Sequence, residues 1–135
     1  MGQFKLHPQL AQDCEAVLDW PLCKLLLMNN AQVLWLILVP RVDAVEELHD
    51  LTRGQQHQLW QEVEMLGSYL SQTYAPHKLN LAAIGNKVRQ LHMHLVVRQE
   101  DDACWPEPVW GNLTPSPYNE AEKMALVSRL RADLN

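Results

Sequence analysis

The sequence predicts an α+β fold in which a two-layer antiparallel β-sheet packs against one long helix, with a further helix at the C-terminus. Two observations predict this class. Strand-like apolar segments come in adjacent pairs along the chain instead of alternating with helices, which favours antiparallel pairing. The longest helical pattern lies between the two pairs of strands and carries a single apolar stripe, as expected of a helix with one face on a sheet.

The chain has 135 residues, and 47% of them are apolar, which is ordinary for one folded domain. No repeat, low-complexity tract or linker divides it. We therefore expect a single domain over residues 1–135, with its core at about 20–100 and a C-terminal strap and helix at about 101–135. Within that strap, the Trp105–Trp110 stretch is expected to form a rigid cover over the core or a dimer groove, in preference to a platform for stacking bases.

The first pair of strands is separated by a short turn. Residues 9–20 have mixed periodicity and predict a short helix or turn. Cys23–Met28 is strand-like, and Val33–Val39 reads as a buried strand that ends at Pro40, which cannot donate to a β-ladder. Asn29 and Asn30 favour a turn between these strands, because asparagine tolerates positive φ and bonds its own backbone. The segment is therefore predicted to be a hairpin.

The long helix is predicted to begin at Thr52, since Thr52 and Gln55 have the spacing of a capping box, and to end before Pro76. Its apolar stripe has spacings of four, three and four and consists of Leu59, Val63, Leu66 and Leu70. A last helix is predicted from Asn119, with a shared apolar face made of Met124, Val127, Leu130 and Leu134.

The second pair of strands is predicted at Leu79–Ile84 and Val88–Arg98. Alternate residues of a strand point to the same face, so Gln90, His92 and His94 are expected side by side above an apolar opposite face. Three neighbouring groups that donate or accept hydrogen bonds suit a phosphate. A His-x-His pair can also be an ordinary buried or surface pair, or it can chelate zinc, although no third ligand has a suitable spacing.

Composition excludes several classes of partner. The net charge is −5, the isoelectric point is about 5.6, and no basic run is present, which argues against binding long nucleic acid. The longest apolar run, Val33–Pro40, is far too short to span a membrane.

Three widely spaced cysteines predict reduced thiols instead of disulfides or a zinc site. The N-terminal Met1–Lys5 has no hydrophobic signal core and no myristoylation pattern. A cytoplasmic location is therefore expected.

The segment Gly85–Val96 resembles the signature of the histidine triad family, in which Gly-Gln-Ser/Thr-Val leads into His-φ-His-φ-His-φ-φ, where φ is apolar. The strand that ends in Pro40 and Arg41 is similar to an earlier family strand, and the resemblance covers roughly residues 20–100. It implies an α+β domain that dimerises through its long helix and a neighbouring strand. It also implies a hydrolase or transferase that acts on nucleoside phosphates or dinucleotides and uses no cofactor.

The resemblance assigns roles to the three side chains of the motif. His92 matches the histidine that attacks the α-phosphorus and forms a nucleotidyl-histidine, which water or another acceptor resolves. His94 matches the histidine that contacts the non-bridging phosphate oxygens. Gln90 stands where the family has the first histidine, and its amide can donate a hydrogen bond to phosphate but cannot supply a proton to a leaving group.

Other matched positions surround the motif. Asn86 and Lys87 stand where the family has Gln and Ser/Thr, and they are predicted to bind phosphate. Trp35 lies where the family often has another histidine. A ribose contact from the first hairpin would map to Asn29 or Asn30.

The function predicted is hydrolysis of nucleoside phosphates, or nucleotidyl transfer, by a homodimer through a covalent intermediate on His92, with no metal. Two alternatives stay open. Gln90 would suit a nucleotide-binding module without turnover. The His92 and His94 pair would suit a metal-dependent enzyme.

Overall fold

The computed structural model describes residues 3–135, which form a five-stranded antiparallel sheet, three α-helices and a short 3-10 helix at Leu48–Asp50. Met1 and Gly2, on which the expectation about an N-terminal signal partly rests, lie outside the described residues. In chain order the elements are α1 (Pro8–Asp13), β1 (Cys14–Asp19), β2 (Cys23–Met28), β3 (Leu34–Pro40), α2 (Arg53–Tyr74), β4 (Lys78–Ala82), β5 (Met93–Arg98) and α3 (Glu120–Leu134). The predicted α+β fold with a C-terminal helix is confirmed.

The strands are ordered β1-β2-β3-β5-β4, and every neighbouring pair is antiparallel. The central pair, β3 and β5, sets the geometry that matters for function. Trp35 lies opposite Val96, and Ile37 lies opposite His94. Trp35 and His94 are therefore diagonal neighbours on one face, a distance that long and aromatic side chains bridge.

The two faces of the sheet bury different sets of side chains, as the alternation in the sequence predicts. Met93, Leu95 and Val97 of β5 belong to the cluster that packs under α2. Val96 belongs to the opposite cluster, which also holds Trp35 and is covered by α1 and by the strap, here defined as residues 101–118. The histidines thus face the layer built from α1 and the strap.

Helix α2 begins and ends as the sequence predicts. Thr52 Oγ1 accepts from the Gln55 amide at 3.1 Å, and Gln55 Oε1 accepts from the Thr52 amide at 2.9 Å, which completes the capping box. The chain leaves the helix through Ala75 in the left-handed region, followed by Pro76. All four residues of the predicted stripe are buried.

A buried glutamate interrupts that stripe. Glu62 is fully buried and accepts from the backbone amides of Leu22 at 2.9 Å and Cys23 at 2.8 Å. The side chain of Gln58 donates to the same carboxylate at 2.7 Å. Glu62 therefore joins α2 to the first residues of β2 through groups that would otherwise be buried without a partner.

Two predicted elements are wrong in type or extent. Residues 9–20 hold α1 and also a strand, β1, where a helix or turn alone is predicted. A register shift between Ala16 and Leu18 places the buried residues Cys14 and Val17 three apart, so the strand lacks strict alternation. The predicted strand Val88–Arg98 is shorter, because β5 starts only at Met93.

The segment that precedes β5 is irregular and turns tightly. A Cβ atom on Gly85 would lie 3.0 Å from the backbone oxygen of Val88, so the close approach needs glycine. Gln90 and His92 are therefore on this loop, and His92 directly precedes the strand. In α3, Val127 and Leu130 are fully buried as predicted, whereas Met124 is 39% exposed and does not share their buried face.

The two edges of the sheet differ. Helix α3 packs on β1, where Arg131 donates to the backbone oxygens of Val17 and Ala16. Strand β4 forms the other edge, and its Leu81 is 45% exposed. Within residues 3–135, no helix has the length and apolar character needed to cross a membrane.

Candidate active site

The tautomer of His92 is fixed by its own loop. Its Nδ1 atom lies 2.7 Å from the backbone oxygen of Gln90. Because a carbonyl oxygen only accepts, Nδ1 carries the proton and donates it. In the neutral ring, Nε2 is then left with a lone pair, which is the form of imidazole that attacks an electrophile.

His94 is held in the opposite tautomer by Trp35. The indole Nε1 of Trp35 donates to Nδ1 of His94 at 3.0 Å. Because an indole N–H can only donate, Nδ1 must accept, and the proton of the neutral ring is on Nε2. Trp35 therefore keeps Nε2 of His94 as a hydrogen-bond donor. The sequence marks Trp35 only as a departure from the family and does not reveal this contact.

The two imidazoles pack closely against each other and against the strap. The ring centroids of His92 and His94 are 4.7 Å apart, with an angle of 67° between the planes. Trp110 of the strap meets His94 edge-on at 5.2 Å and Trp35 at 5.8 Å. These contacts hold both rings in place and exclude water from the far side of His94.

Burial keeps both imidazoles neutral. It lowers the pKa of His92 below its ordinary value, against the opposing effect of the Gln90 carbonyl and with a small further lowering from His7. Burial also lowers the pKa of His94 to about 4, with a second contribution from the charge of His92 and against the opposing effect of a hydrogen bond to the Ile84 backbone. A reaction that needs neutral His92 reaches its full rate above the pKa of His92 and loses that rate as the pH falls through this pKa. Because the pKa is lowered, the acid limb of the pH–rate profile is expected below pH 6.5.

A cavity of about 350 Å³ opens beside His92. It is lined by the loop before β5 and by two acidic residues: Ala83, Ile84, Gly85, Asn86, Arg89, Gln90, Leu91, His92, Glu46 and Glu47. Asn86 thus lines the same cavity as His92. Lys87 instead lines a neighbouring cavity, and His94 contacts His92 from behind without lining the wall.

The side chain of Gln90 holds the N-terminal segment. Its Oε1 accepts from the backbone amide of His7 at 2.9 Å, and its Nε2 donates to the backbone oxygen of Lys5 at 2.8 Å. One hydrogen of the amide remains for a ligand. No sequence pattern indicates this contact, because the partners are more than eighty residues apart.

The two asparagines of the first hairpin contact the strap. Asn29 Oδ1 accepts from the Tyr118 amide at 3.0 Å. Asn30 is buried; its Nδ2 donates to the Thr114 oxygen at 3.2 Å, and its Oδ1 accepts from the Gln32 amide at 3.0 Å. Both residues therefore anchor the strap, and the structure gives no direct link between them and His92.

Arg98 at the end of β5 contacts the strap and does not line the cavity. It is 1% exposed and forms two hydrogen bonds to the Asp102 carboxylate, at 2.8 and 3.1 Å, and one to Asn80 Oδ1 at 2.9 Å. Its guanidinium also lies 5.3 Å from the centre of the Trp105 ring. The network fixes the start of the strap, which in turn places Trp110 on His94.

Asp102 and Cys104, the nearby residues that could complete a metal site with the two histidines, have other partners. Asp102 binds Arg98, and the Cys104 sulfur lies 3.6 Å from an Arg98 nitrogen. In the described part of the chain, no three His, Cys, Asp or Glu side chains converge as ligands. The geometry offers His92 and His94 alone, in tautomers that their neighbours already fix.

Replacing Trp35 with phenylalanine is expected to lower kcat about tenfold. The reason is that the Nε2–H of His94 is then no longer held in place as a donor, and losing one fixed donor to a transition state lowers a rate at least that much. Without the indole N–H, the proton of His94 can move to Nδ1, and protonation of the ring becomes easier. The pH profile should gain a second acid limb, and ¹⁵N NMR of the imidazoles should show mixed tautomers. Trp110→Phe is the matched control, since Trp110 packs on His94 but its Nε1 has no hydrogen-bond partner. An unchanged His94 tautomer in Trp35→Phe would contradict the assignment.

The chain is similar to known proteins over most of its length. A family model described as "HIT domain" matches residues 9–101. A histidine triad protein from Bradyrhizobium japonicum is 39% identical, covers 97% of this chain and 98% of its own, and superposes with a TM-score of 0.93. The histidine triad protein from Marinobacter aquaeolei VT8 is 40% identical over 97% of this chain and 96% of its own, with a TM-score of 0.94. A histidine triad (HIT) protein from Sinorhizobium meliloti 1021 is 36% identical over 96% of each chain, with a TM-score of 0.91. Among curated proteins, none matches.

Proposed function

The chain belongs to the HIT domain family, whose members in general act on nucleotides, and on that premise we propose that it is a nucleoside-phosphate hydrolase or nucleotidyl transferase. The reaction runs through a covalent nucleotidyl intermediate on Nε2 of His92. No metal or other cofactor takes part in it.

One observation carries the proposal, namely the fixed tautomer of His92. Its Nδ1–H donates to the Gln90 carbonyl, which leaves a lone pair on Nε2 beside a cavity of about 350 Å³. Burial lowers the pKa of His92, so the nucleophile is neutral at pH 7 without help from a base. A poised nucleophile at the wall of a cavity is what covalent catalysis at phosphorus requires.

The reaction has two balanced displacements. In the first, Nε2 of His92 forms a bond to the α-phosphorus as the bond to the leaving oxygen breaks, and that oxygen takes the electron pair. In the second, the oxygen of water or another acceptor bonds to the same phosphorus and gives up its proton to solvent, while the P–N bond breaks and its electron pair returns to Nε2 of His92. The remaining amide hydrogen of Gln90 and the side chain of Asn86, both in the lining of the cavity, are proposed donors to the phosphate oxygens. His94 does not line the cavity, and its Nε2–H is proposed as a donor to a phosphate on His92 because the two rings are 4.7 Å apart.

Ribose binding by the first hairpin stays a prediction for Asn29 and Asn30. The described contacts of Asn29 use its Oδ1 and leave its Nδ2 for a ligand, whereas both polar atoms of Asn30 are bonded. Asn29 is therefore the better candidate of the two.

Turnover by the purified protein tests the proposal. A dinucleoside polyphosphate or a nucleoside phosphoramidate should be converted to the nucleoside monophosphate, at a rate that EDTA does not change. Binding of both substrates without turnover would support a nucleotide-binding module instead. Stoichiometric metal after purification, with activity lost on chelation, would support the metal-dependent alternative and contradict the covalent histidine.

A homodimer is also proposed, formed through α2 and the edge strand β4. Leu81 on β4 is 45% exposed, and Trp60 and Met65 on α2 are 44% and 49% exposed. An edge strand with a large exposed apolar side chain is suited to pairing with a second copy.

Leu81→Lys is expected to convert the dimer to a monomer, because a lysine on each copy would bring like charges together in an apolar contact. Light scattering after gel filtration should show the mass fall towards 15.5 kDa. Met124→Lys, at a 39% exposed position on α3, is the matched control and should leave the mass unchanged. A wild-type monomer, or a Leu81→Lys dimer, would contradict the proposed interface.

The proposed compartment is the cytoplasm, which the state of the cysteines supports. All three thiols are free. Burial raises the pKa of Cys14 to about 12 and raises that of Cys23 further, so neither forms the thiolate that metals and disulfide exchange require. Unreactive reduced thiols are typical of proteins in a reducing compartment.

A further inference from the structure

The N-terminal segment, residues 3–7, lies against the first triad position. The amide of Gln90 accepts from the His7 backbone and donates to the Lys5 backbone, at 2.9 and 2.8 Å. Two hydrogen bonds to a single amide fix both the position and the direction of the segment. Gln90, which stands where the family has the first histidine, therefore holds the backbone of His7 beside the site.

A hydrogen bond from the chain fixes which nitrogen of the His7 ring carries the proton. Its Nδ1 accepts from the Gln9 backbone amide at 3.0 Å and caps α1. In the neutral ring the proton is therefore on Nε2, which has no partner among the described hydrogen bonds. His7 thus lies beside Gln90, in the lining of a cavity next to the one at His92.

A second cavity, of about 370 Å³, adjoins the one at His92. His7 and Lys87 line only this cavity, whereas Gln90, Arg89 and Glu46 line both. Arg89 forms two hydrogen bonds to Glu46, at 3.1 and 3.2 Å, so its positive charge neutralises that of the carboxylate. The remaining polar groups are the Gln90 amide, the ammonium of Lys87 and the imidazole of His7, so the net charge of the lining favours an anion.

Resting on the proposed function, we infer that this second cavity is the subsite for the leaving group and that it takes a phosphate or polyphosphate anion. As Nε2 of His92 bonds to phosphorus, the P–O bond breaks, and the leaving oxygen keeps the electron pair. Nε2–H of His7 donates a hydrogen bond to that oxygen, and Lys87 offsets the charge of the group. The oxygen leaves as an anion and needs no proton.

The substrate class follows from this chemistry. A phosphoanhydride, such as a nucleoside or dinucleoside polyphosphate, releases a stable anion that this subsite can hold. A phosphoramidate releases an amine, which must gain a proton as it leaves. Neither the Gln90 amide nor a neutral His7 supplies one, and a lysine ammonium such as that of Lys87 is a weak acid near pH 7. Phosphoanhydrides are therefore the preferred substrates.

His7→Asn tests the inference. Asparagine keeps the backbone amide that Gln90 holds and is itself a good helix cap, but it removes the imidazole N–H. We compare two substrates with the same nucleoside, a dinucleoside tetraphosphate and the p-nitrophenyl ester of the monophosphate, whose phenolate needs little stabilisation. The kcat/KM for the tetraphosphate should fall at least about tenfold, whereas that for the ester should change less than about twofold. His57→Asn, an exposed position on α2, is the matched control and should change neither.

The outcomes separate the inference from the proposed function. Equal losses on both substrates would show that His7 only supports the fold, and unchanged rates on both would show that it does not meet the leaving group; either result overturns the inference. A wild-type preference for the phosphoramidate of the same nucleoside would overturn the substrate class. If the wild-type protein converts none of the substrates, the proposed function itself fails.

Discussion

His92→Ala is expected to abolish nucleotidyl transfer, with kcat lower by about 10⁴-fold or more, the usual cost of removing a covalent nucleophile. The Nε2 lone pair that the Gln90 carbonyl fixes has no substitute within reach. His94 cannot take over, because Trp35 occupies its Nδ1 and the proton is on its Nε2. The loss should be seen in single-turnover release of the nucleoside monophosphate from a dinucleoside polyphosphate.

Two controls isolate the chemistry of His92 from its packing. His92 is only 4% exposed, so the alanine variant must first show the cooperative unfolding and nucleotide affinity of a folded site. His57→Ala, at an exposed position on α2, should keep full activity. A folded His92→Ala protein that retains more than a tenth of the rate would exclude His92 as the nucleophile.

Glu62→Ala is expected to lower the free energy of unfolding by about 3–5 kcal/mol. The carboxylate accepts from the amides of Leu22 and Cys23 and from the side chain of Gln58, and all of this lies in the interior. Alanine leaves two buried backbone donors without partners and opens a cavity between α2 and β2. A loss of this size is a large fraction of the stability of a domain this small.

Urea unfolding measures the effect, with Glu64→Ala as the matched control because Glu64 is an exposed glutamate on the same helix. The control should change the free energy by less than about 0.5 kcal/mol. Glu62→Gln should fall between the two, since an amide oxygen can still accept one of the backbone hydrogen bonds. A loss below about 1 kcal/mol in Glu62→Ala would mean that water or a local shift satisfies the two amides.

The elements with regular periodicity could be predicted from the sequence, and those without it could not. The stripe and capping box of α2 are strong local signals, and the structure confirms both. β1 was missed because its register shift gives buried positions three apart, a spacing closer to that of a helix. The sequence predicts too early a start for β5, because apolar and polar residues already alternate at Leu91 and His92. The backbone there still belongs to the loop that follows Gly85.

The site divides in the same way. His92 and His94 could be found because two histidines with one residue between them are visible in the sequence, together with their apolar flanks. The groups that fix them could not, because each acts from a distant part of the chain: Trp35 through the register of β3, and His7 through the amide of Gln90. Hydrogen bonds across more than fifty residues leave no periodic pattern. The identity of the two histidines can therefore be predicted from the sequence, whereas the hydrogen bonds that orient them can be seen only in the folded structure.

Intact-mass spectrometry after rapid acid-free quenching tests the central claim most directly. Mixed with excess dinucleoside polyphosphate, the wild-type protein should gain the mass of one nucleoside monophosphate less water, and peptide mapping should locate the adduct on His92. The Trp35→Phe variant should show the same adduct formed more slowly, and His92→Ala should show none. An adduct on another residue, or steady turnover with no adduct under conditions that trap it, would contradict a covalent nucleotidyl-His92.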